Sequence, residues 1–212
     1  WVVARAGFVA MRGRVRTAMA RIYAVYGDRF SKRERRRIAW ISFRNFVFNV
    51  VELSRLTRIG KAWFDAHYDT GDAGPAILAH CETGRGGIVA VPHCGNWEMA
   101  AVYAHVSGVP VLSIGARQRN PLVNRYLNRL RSAPGIDTIE RGSSTLRIVA
   151  QRLKKGSVLT ILPDVRVRVP GVDVAFLGSR ANLGPGMAGF ARRFGVPIFP
   201  CVAQRVGWTR HR

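Results

Sequence analysis

Beyond residue 60, short apolar runs alternate along the chain with segments in which apolar residues recur at helical spacing. The clearest run covers residues 88–91, stops at Pro92, and is followed after a turn of small residues by a helical segment that ends near Gly108. The other expected elements are strands at 109–114, 136–139, 158–162, 172–176 and 197–202, and helices at 75–81, 121–131, 143–154 and 185–194. This alternation predicts an α/β fold, with a mostly parallel central sheet flanked by helices.

The first 60 residues have a different pattern, in which apolar residues are mixed with regularly placed arginines. Residues 1–30 are typical of a basic amphipathic helix that ends at Gly27. Ser31 and Glu34 have the spacing of a capping box, which predicts the start of a second helix running to about Thr57. The apolar face of that second helix is expected to consist of Ile38, Ile41, Phe46, Phe48 and Val51.

This change of pattern predicts two regions, basic amphipathic helices near a membrane in residues 1–60 and the α/β domain in residues 61–212. Two interpretations of the second helix remain open. It either packs on the domain with a solvated basic end, or lies on a membrane surface with Trp40, Phe43 and the arginines at the head groups. The two interpretations are compatible, because one helix can do both.

The charge balance is strongly basic: 34 Lys and Arg oppose 12 Asp and Glu, which gives a net charge of +22. Such a surface favours anionic partners, among them phospholipid head groups, phosphorylated glycolipids, an acidic carrier protein or nucleic acid. No helix-turn-helix, RNA-recognition or zinc motif occurs in the sequence, and the aromatic residues lie in apolar runs rather than along a basic groove. We therefore expect a lipid or carrier-protein partner and no nucleic-acid partner.

The cysteine count and the chain ends bear on the cellular compartment and on the extent of the sequence. Three cysteines without CxxC spacing indicate a reducing compartment and argue against a disulfide scaffold or a zinc site. No run of about 20 apolar residues predicts a membrane span, and no signal peptide is visible. Because the chain begins at Trp1 without a methionine and ends at Arg212 after a strand-like run, we expect a trimmed sequence with a shortened C-terminus.

The residues that follow the 88–91 strand carry the candidate chemistry. His93 would lie at the carboxyl end of this strand, where open α/β sheets keep their ligand crevice. Asn96 is a favourable N-cap for the next helix, and Glu98 in its first turn is near enough in sequence to reach the imidazole. A histidine oriented by a carboxylate is a general base, so His93 and Glu98 are the predicted catalytic pair. We interpret Cys94 as a packing residue rather than a nucleophile, because adjacent side chains point apart.

The sequence P-H-C-G-N-W-E at 92–98 resembles the H-x4-E signature of the bacterial lipid A biosynthesis acyltransferases. These are relatives of the glycerolipid acyltransferases and are similar to the phosphatidylinositol mannoside acyltransferase of actinobacteria. Three further blocks follow in the family's order, so the resemblance covers roughly residues 31–205. The blocks are R-Q-R-N-P-L at 117–122, E-R at 140–141 with L-P-D at 162–164, and P-G-V-D-V-A-F-L-G-S-R-A at 170–181 with G-V-P-I-F-P at 195–200.

The resemblance implies a glycerolipid acyltransferase-like fold and a membrane-associated O-acyltransferase. Such an enzyme would move a fatty acyl group from an acyl-carrier-protein or acyl-CoA thioester to a hydroxyl of a lipid A precursor-like glycolipid or a lysophospholipid. His93 would deprotonate that hydroxyl and Glu98 would orient the ring, with no metal, no further cofactor and no acyl-enzyme. The implied location is the cytoplasmic face of the bacterial plasma membrane, peripheral or anchored by a preceding segment. A non-catalytic membrane-surface scaffold is the alternative function.

The resemblance also implies residues that bind the substrates. Either Arg117 or Arg119 would bind a phosphate of the acceptor or donor, because guanidinium groups suit that anion. Arg141 would bind phosphate or pair with Asp164, and Asp164 would pair with an arginine or contact substrate. Many family members are acidic two positions after this aspartate, whereas this chain has Arg166 there. The full set of expected substrate-binding residues is Asn96, Arg117, Arg119, Asn120, Arg141, Asp164 and Gly178.

Overall fold

The computed structural model describes residues 1–115 and 118–212, with only the backbone described at Glu140. The expected phosphate ligand Arg117 lies outside the described residues. The helices are α1 (Val2–Ala10), α2 (Arg12–Tyr26), α3 (Lys32–Ser54), α4 (Lys61–His67), α5 (Ala73–Glu82), α6 (Trp97–Val106), α7 (Pro121–Ser132), α8 (Thr145–Lys154) and α9 (Gly186–Phe194). The strands are β1 (Gly87–Ala90), β2 (Val111–Gly115), β3 (Asp137–Glu140), β4 (Val158–Ile161), β5 (Val172–Phe176), β6 (Ser179–Leu183) and β7 (Ile198–Pro200).

Five of the strands form one parallel sheet in the order β3-β2-β4-β1-β7, which confirms the predicted fold class. The other two strands, β5 and β6, form a separate antiparallel hairpin. The sequence predicts β5 with its observed bounds but misses β6, because its S-R-A-N-L sequence has no apolar run. It also misses α4, whereas the remaining elements of the α/β domain lie within two residues of their expected bounds.

Helices cover both faces of the parallel sheet. Alternate residues of a strand point to opposite faces, and each face has its own apolar core. Val158 belongs to a cluster with residues of α5 and α6, whereas its neighbour Leu159 belongs to a cluster with residues of α8 and α9. Both side chains are completely buried. Because helices cover both faces, a ligand has access to the sheet mainly at its edges. In open α/β sheets the ligand crevice lies at the carboxyl ends of the strands.

The N-terminal helices form a smaller cluster around Phe8, which is buried. The single helix expected over residues 1–30 is two helices, α1 and α2, because the chain turns between them. α3 begins at the predicted capping box, in which the Ser31 and Glu34 side chains each bond the other residue's backbone N–H. It ends at Ser54, three residues before its expected end.

α3 changes its partner along its length, and its expected apolar face is therefore partly wrong. In its first half, Trp40 and Phe43 pack edge-on against the Phe8 ring, so the protein itself covers much of their surface. In its second half α3 faces the α/β domain with polar side chains, which leaves Phe46 and Val51 57% and 50% exposed. Among the described residues, no helix combines the length and the apolar content that a bilayer span requires.

Candidate active site at the carboxyl edge of the sheet

The register between two neighbouring strands brings His93 and Asp164 together. β1 and β4 pair in parallel, with Ala90 opposite Ile161 at their carboxyl ends. His93 and Asp164 each follow one of these two residues by three positions. Since parallel neighbours end at the same edge of the sheet, both side chains reach the same region beyond it. The structure thus places His93 at the carboxyl edge, where the sequence predicts it.

Asp164 contacts His93 at both its ring and its backbone. The Asp164 Oδ2 atom accepts a hydrogen bond from the His93 backbone N–H at 2.8 Å, and Oδ1 lies 2.7 Å from the ring Nδ1. Since a carboxylate only accepts hydrogen bonds, the ring hydrogen is assigned to Nδ1, which leaves a lone pair on Nε2. The His93 side chain is 40% exposed, and Nε2 has no hydrogen-bond partner among the described residues. An imidazole in this state is able to accept a proton from a bound hydroxyl.

The Asp164 carboxyl group is held in its charged form. Partial burial by itself raises the pKa of this group. The hydrogen bonds from the His93 ring and backbone lower the pKa by more than burial raises it, so the net shift is downward. A charged carboxylate at this position stabilises the imidazolium that forms when the ring takes up a proton. Asp164 therefore has the geometry and the charge of the orienting acid in a histidine–carboxylate pair.

Glu98 lies in the first turn of α6, as predicted, but its carboxylate contacts Arg131 of α7 instead of His93. Its Oε2 accepts a hydrogen bond from Arg131 Nε at 3.1 Å, and its Oε1 accepts a second one from Arg131 Nη2. A guanidinium offers two donors in a fork, which favours this pair over a single bond to an imidazole. The bonding to Glu98 raises the pKa of Arg131. The predicted contact between Glu98 and the ring is therefore corrected, because Asp164 makes it.

A buried polar cluster fixes the loop between His93 and α6. Glu52 of α3, 7% exposed, accepts hydrogen bonds at 2.7 Å from Asn96 Nδ2 and from both terminal nitrogens of Arg205, and lies 3.3 Å from the His211 ring. Burial raises the pKa of Glu52, but the bonds from His211, Arg205 and Asn96 reverse this effect and lower it to about 2. The buried carboxylate is thus charged, and its charge is balanced by the Arg205 guanidinium and by hydrogen bonds within the cluster.

Asn96 is an internal residue and not an exposed substrate contact. It is 2% exposed, its Oδ1 caps α6 by accepting a hydrogen bond from Met99 N–H, and its Nδ2 donates to Glu52. Both ends of its amide are therefore used within the protein. The capping interpretation of Asn96 agrees with this geometry, and the expected substrate contact is corrected because a ligand has no access to the side chain.

Gly95 lets the same loop approach the C-terminal segment closely. Its φ is +60°, and a Cβ atom built there would lie 1.7 Å from the Ala203 carbonyl oxygen. Any other residue would meet both a left-handed backbone and a direct overlap with main-chain atoms. Asn49 of α3 also donates a hydrogen bond to the Gly95 carbonyl oxygen. The backbone next to His93 is thus in contact with two separate segments of the chain.

The other expected substrate-binding residues occupy the same edge or the hairpin. Arg119 is exposed just before α7, and Asn120 caps that helix, its Oδ1 accepting hydrogen bonds from two first-turn N–H groups at 2.9 and 3.4 Å. Arg141 is exposed after β3 and forms no ion pair with Asp164 in the described structure. Gly178 has a φ of +75° in the turn between β5 and β6. The arginines are thus accessible, whereas Asn120 and Gly178 have evident backbone roles.

An apolar cavity of about 160 Å³ lies on the α6 face of the sheet. Trp97 connects it with the candidate site, because its ring lines the cavity and packs edge-on against the His93 ring, with centroids 4.9 Å apart. Aliphatic side chains such as Val89, Val111 and Ala100 form much of the remaining lining. A cavity of this size accommodates a hydrocarbon group about as large as benzene. The protein therefore has space for part of an apolar chain next to Trp97, whose ring contacts the imidazole.

Sequence reasoning missed Glu52, Arg131 and Arg205 as parts of this site. Glu52 offers a signal, since it is a lone carboxylate among the apolar residues that end α3. A charge at such a position requires a buried partner. Arg131 and Arg205 offer no signal of their own in a chain with 34 Lys and Arg, where basic residues are common throughout.

The parallel α/β sheet thus carries an accessible imidazole–carboxylate pair at its carboxyl edge and an apolar cavity on its α6 face, an arrangement typical of an enzyme of the α/β class. The chain belongs to the bacterial lipid A biosynthesis acyltransferase family, whose model matches residues 2–211. The membership confirms the family resemblance of the four sequence blocks. The chain is also similar to the phosphatidylinositol mannoside acyltransferase of Mycolicibacterium smegmatis (strain ATCC 700084 / mc(2)155), with 26% identity over 123 residues. That match covers 56% of this chain and 40% of the relative's length.

Proposed function

We propose that the protein transfers a fatty acyl group from a thioester, carried by an acyl carrier protein or by CoA, to a hydroxyl group of a lipid. The observation that carries this proposal is the His93–Asp164 pair, whose ring exposes an Nε2 without a partner in the described chain, next to an apolar cavity. Membership in a family of acyltransferases supports the same chemistry.

In the proposed reaction, His93 acts as the general base. Its Nε2 takes the proton of the acceptor hydroxyl while the hydroxyl oxygen attacks the thioester carbonyl carbon. The resulting tetrahedral intermediate collapses as the C–S bond breaks, and the imidazolium returns the proton to the departing thiolate. An ester and a free thiol are the products, so no acyl-enzyme is required. Asp164 holds the ring through Nδ1 and stabilises its positive charge in between.

The acyl chain of the donor would enter the cavity beside Trp97. The aliphatic lining favours a hydrocarbon over a polar group, since burying methylene groups stabilises the complex by about 0.8 kcal/mol each. Because a volume of about 160 Å³ matches only a benzene-sized group, a long fatty chain would extend beyond the cavity. This arrangement brings the thioester end of the chain towards the imidazole.

A phosphate-bearing acceptor is our proposal for the second substrate, either a lipid A precursor-like glycolipid or a lysophospholipid. Exposed Arg119 and Arg141 follow β2 and β3, the two strands next in order after β4. At about 4.8 Å per strand, these strands end roughly 5 and 10 Å from the end of β4, which leads to Asp164. Guanidinium groups in the loops that follow these strands suit a phosphate several bonds away from the reacting hydroxyl.

We further propose that the protein works on the cytoplasmic face of the bacterial plasma membrane. Its net charge of +22 favours anionic lipid surfaces. Apolar side chains of the N-terminal helices are also open to solvent, including Val2 at 77%, Val3 at 75% and Phe46 at 57% exposure. Apolar residues beside a basic surface are typical of helices that bind the membrane interface.

The test is an acyl-transfer assay with radiolabelled acyl carrier protein and acyl-CoA donors and bacterial membranes as the source of acceptors. We expect His93→Ala to lower the rate of labelled lipid formation by about 10²–10⁴-fold, the usual contribution of a general base. Asp164→Ala should cause a loss in the same range because it removes the partner of the ring. The matched control is His67→Ala, which replaces a histidine of α4 that lies outside the site.

The assay separates the proposed function from its alternatives. If His93→Ala and Asp164→Ala both retain the rate of the unchanged protein, then the general-base mechanism is wrong. If the unchanged protein gives no labelled lipid with either donor and with any membrane extract, then the acyltransferase proposal itself fails for this chain. A rate that depends on only one donor would identify the carrier of the acyl group.

A further inference from the structure

The β5–β6 hairpin has one apolar face and one polar face. In its antiparallel register, Val172, Val174 and Phe176 of β5 lie opposite Leu183, Ala181 and Ser179 of β6. Cross-strand partners share a face, so these residues make one side of the hairpin largely apolar. Val172, Val174 and Phe176 are 51%, 36% and 55% exposed, and Leu177 at the turn is 54% exposed. The described chain therefore leaves this apolar face largely uncovered.

The other face of the hairpin is polar and already paired. Asp173 and Arg180 form an ion pair across the strands at 2.6 Å, on the side opposite to the valines. Asn182 on the same side donates hydrogen bonds to the carbonyl oxygens of Val167 and Val169. The polar face thus has partners within the protein, whereas the apolar face has none that covers it in the described residues.

The base of the hairpin is connected to the candidate active site. The chain runs from Asp164, which contacts His93, directly into Arg166, and Arg166 forms a β-bridge with Leu183 at the end of β6. In this bridge the Val167 N–H donates a hydrogen bond to the Asn182 carbonyl oxygen at 3.0 Å. Whatever the hairpin contacts is therefore fixed in position relative to the imidazole–carboxylate pair.

We propose that this hairpin inserts its apolar face into the surface of an anionic lipid bilayer and so places the active site at the level of the head groups. Charge complementarity identifies the occupant: Arg166 and Arg168 are exposed beside the apolar residues and have no ion-pair partner in the described structure. An apolar face flanked by free guanidinium groups matches the boundary between acyl chains and anionic head groups. The placement of the active site at the head groups rests on the proposed function. The binding of the hairpin to a bilayer does not, since binding requires no catalysis.

The length of the hairpin agrees with this placement. Four residue steps separate the base pair at Val172 from the tip at Phe176, which is about 14 Å at 3.4 Å per residue. Interfacial elements penetrate roughly 5–10 Å into the boundary between head groups and acyl chains. If the hairpin is tilted so that its apolar face meets the lipid and its tip reaches that depth, then the base of the hairpin and the adjoining Asp164 lie among or just above the head groups. A lipid hydroxyl is then presented to His93 without leaving the membrane.

The experiment measures binding of the whole chain to vesicles by co-sedimentation. One set of vesicles is phosphatidylcholine alone and the other contains phosphatidylglycerol as an anionic lipid. We expect the double variant Val174→Ser/Phe176→Ser to lower the partition coefficient by at least tenfold on anionic vesicles, since two buried apolar side chains are lost. The matched control is Ala175→Ser, a change of similar chemistry on the polar face of the same strand. It should leave the partition coefficient within twofold.

A second pair of variants tests the electrostatic part. Arg166→Gln/Arg168→Gln should weaken binding to the anionic vesicles by about tenfold or more and leave binding to neutral vesicles unchanged. Any membrane affinity of the N-terminal helices is the same in every variant, so the comparisons isolate the hairpin. Urea unfolding of Val174→Ser/Phe176→Ser should follow that of the unchanged chain closely, which shows that the variant is folded without reference to its activity.

Two results would overturn the inference. If the double variant and Ala175→Ser sediment equally with the vesicles, then the hairpin does not contact the bilayer. If the unchanged chain dimerises with rising concentration and the double variant does not, while vesicle binding is equal, then a second copy covers the apolar face. If His93→Ala retains acyl transfer while Val174→Ser/Phe176→Ser loses vesicle binding, then the general-base proposal fails and the hairpin inference stands, so the two proposals fail independently.

Discussion

Asp164 holds His93 by two hydrogen bonds, one to the ring Nδ1 and one to the backbone N–H. The first bond sets the tautomer of the ring and leaves Nε2 as the acceptor. The second bond ties the loop after β1 to the loop after β4. One carboxylate thus fixes both the direction and the protonation pattern of the proposed base, which Glu98, engaged with Arg131, does not do.

This relationship predicts the effect of Asp164→Asn. The amide has a similar shape, but its Nδ2 is a donor and favours a ring with the hydrogen on Nε2, which removes the base. We expect the rate of acyl transfer at saturating substrate to fall by about 10³–10⁴-fold, as when asparagine replaces the aspartate in a Ser-His-Asp triad. The KM for the acyl donor should change little, because Asp164 does not line the cavity. Steady-state kinetics with a labelled donor provide the measurement.

Glu98→Gln is the comparison for that prediction. The glutamine side chain would keep one hydrogen bond to Arg131 and leave the His93–Asp164 pair intact, so the rate of this variant should fall far less than that of Asp164→Asn. If the two variants lose the same activity, or if Glu98→Gln loses more, then Glu98 acts on the ring in the working enzyme and the original H-x4-E expectation is right.

The ion pair between Glu98 and Arg131 joins α6 to α7, and both side chains are largely shielded from solvent. We expect Glu98→Gln and Arg131→Gln each to lower the free energy of unfolding, and the double variant to lose less than the sum of the two. Residues in direct contact usually couple by about 0.5–3 kcal/mol, and about 1–2 kcal/mol is expected here. Urea unfolding of the four proteins gives the coupling. Strict additivity would show that the pair does not contribute.

The sequence is sufficient to predict the parallel sheet, most element bounds and the place of His93 at a strand end. It also puts Asp164 after a strand, but the partner of His93 depends on which strands are neighbours. β4 lies between β1 and β2 in space although it follows both in sequence. No local sequence pattern contains the spatial order of the strands. The short spacing from His93 to Glu98 suggests a contact between them, but His93 pairs with Asp164 and Glu98 pairs with Arg131.

The apolar face of α3 is also hard to predict, because it depends on packing partners from distant parts of the chain. Helical periodicity reports which residues are apolar, but α3 packs against α1 and α2 in its first half and against the α/β domain in its second. There the buried side chain is Glu52, compensated by Arg205 and His211, and Phe46 remains exposed. Tertiary pairing of charges from distant segments overrides the local pattern.

Glu52 predicts a specific dependence of stability on pH. Its pKa is about 2 in the folded protein and near 4.5 without the protein environment. A lowered pKa stabilises the folded state above the unfolded pKa, and this contribution disappears as the pH falls from about 4.5 to about 2. The shift corresponds to roughly 3 kcal/mol at neutral pH. Urea unfolding at a series of pH values should show the decline, and Glu52→Gln should flatten it.

The same variant has a second expected consequence at neutral pH. Glu52→Gln leaves the Arg205 guanidinium buried without a charged partner, so the free energy of unfolding should fall by about 3–5 kcal/mol. Glu34→Gln is the control, since Glu34 belongs to the exposed capping box of α3 and should cost about 1 kcal/mol or less. Equal losses in the two variants would contradict a special role for the buried cluster.

Gly95 allows the sharpest test of the loop that carries His93, because a glycine with nearly the same φ angle is available as its control. Gly95 and Gly195 have φ values of +60° and +61°, but a Cβ atom meets the Ala203 carbonyl oxygen at 1.7 Å only in the first case. Gly195→Ala should cost about 1–2 kcal/mol of unfolding free energy for the left-handed backbone. Gly95→Ala should cost more than about 3 kcal/mol and lower acyl transfer per folded molecule, because the backbone beside His93 must move. Chemical unfolding and the transfer assay measure the two effects, and equal behaviour of the two variants would show that the close approach to Ala203 does not hold the loop.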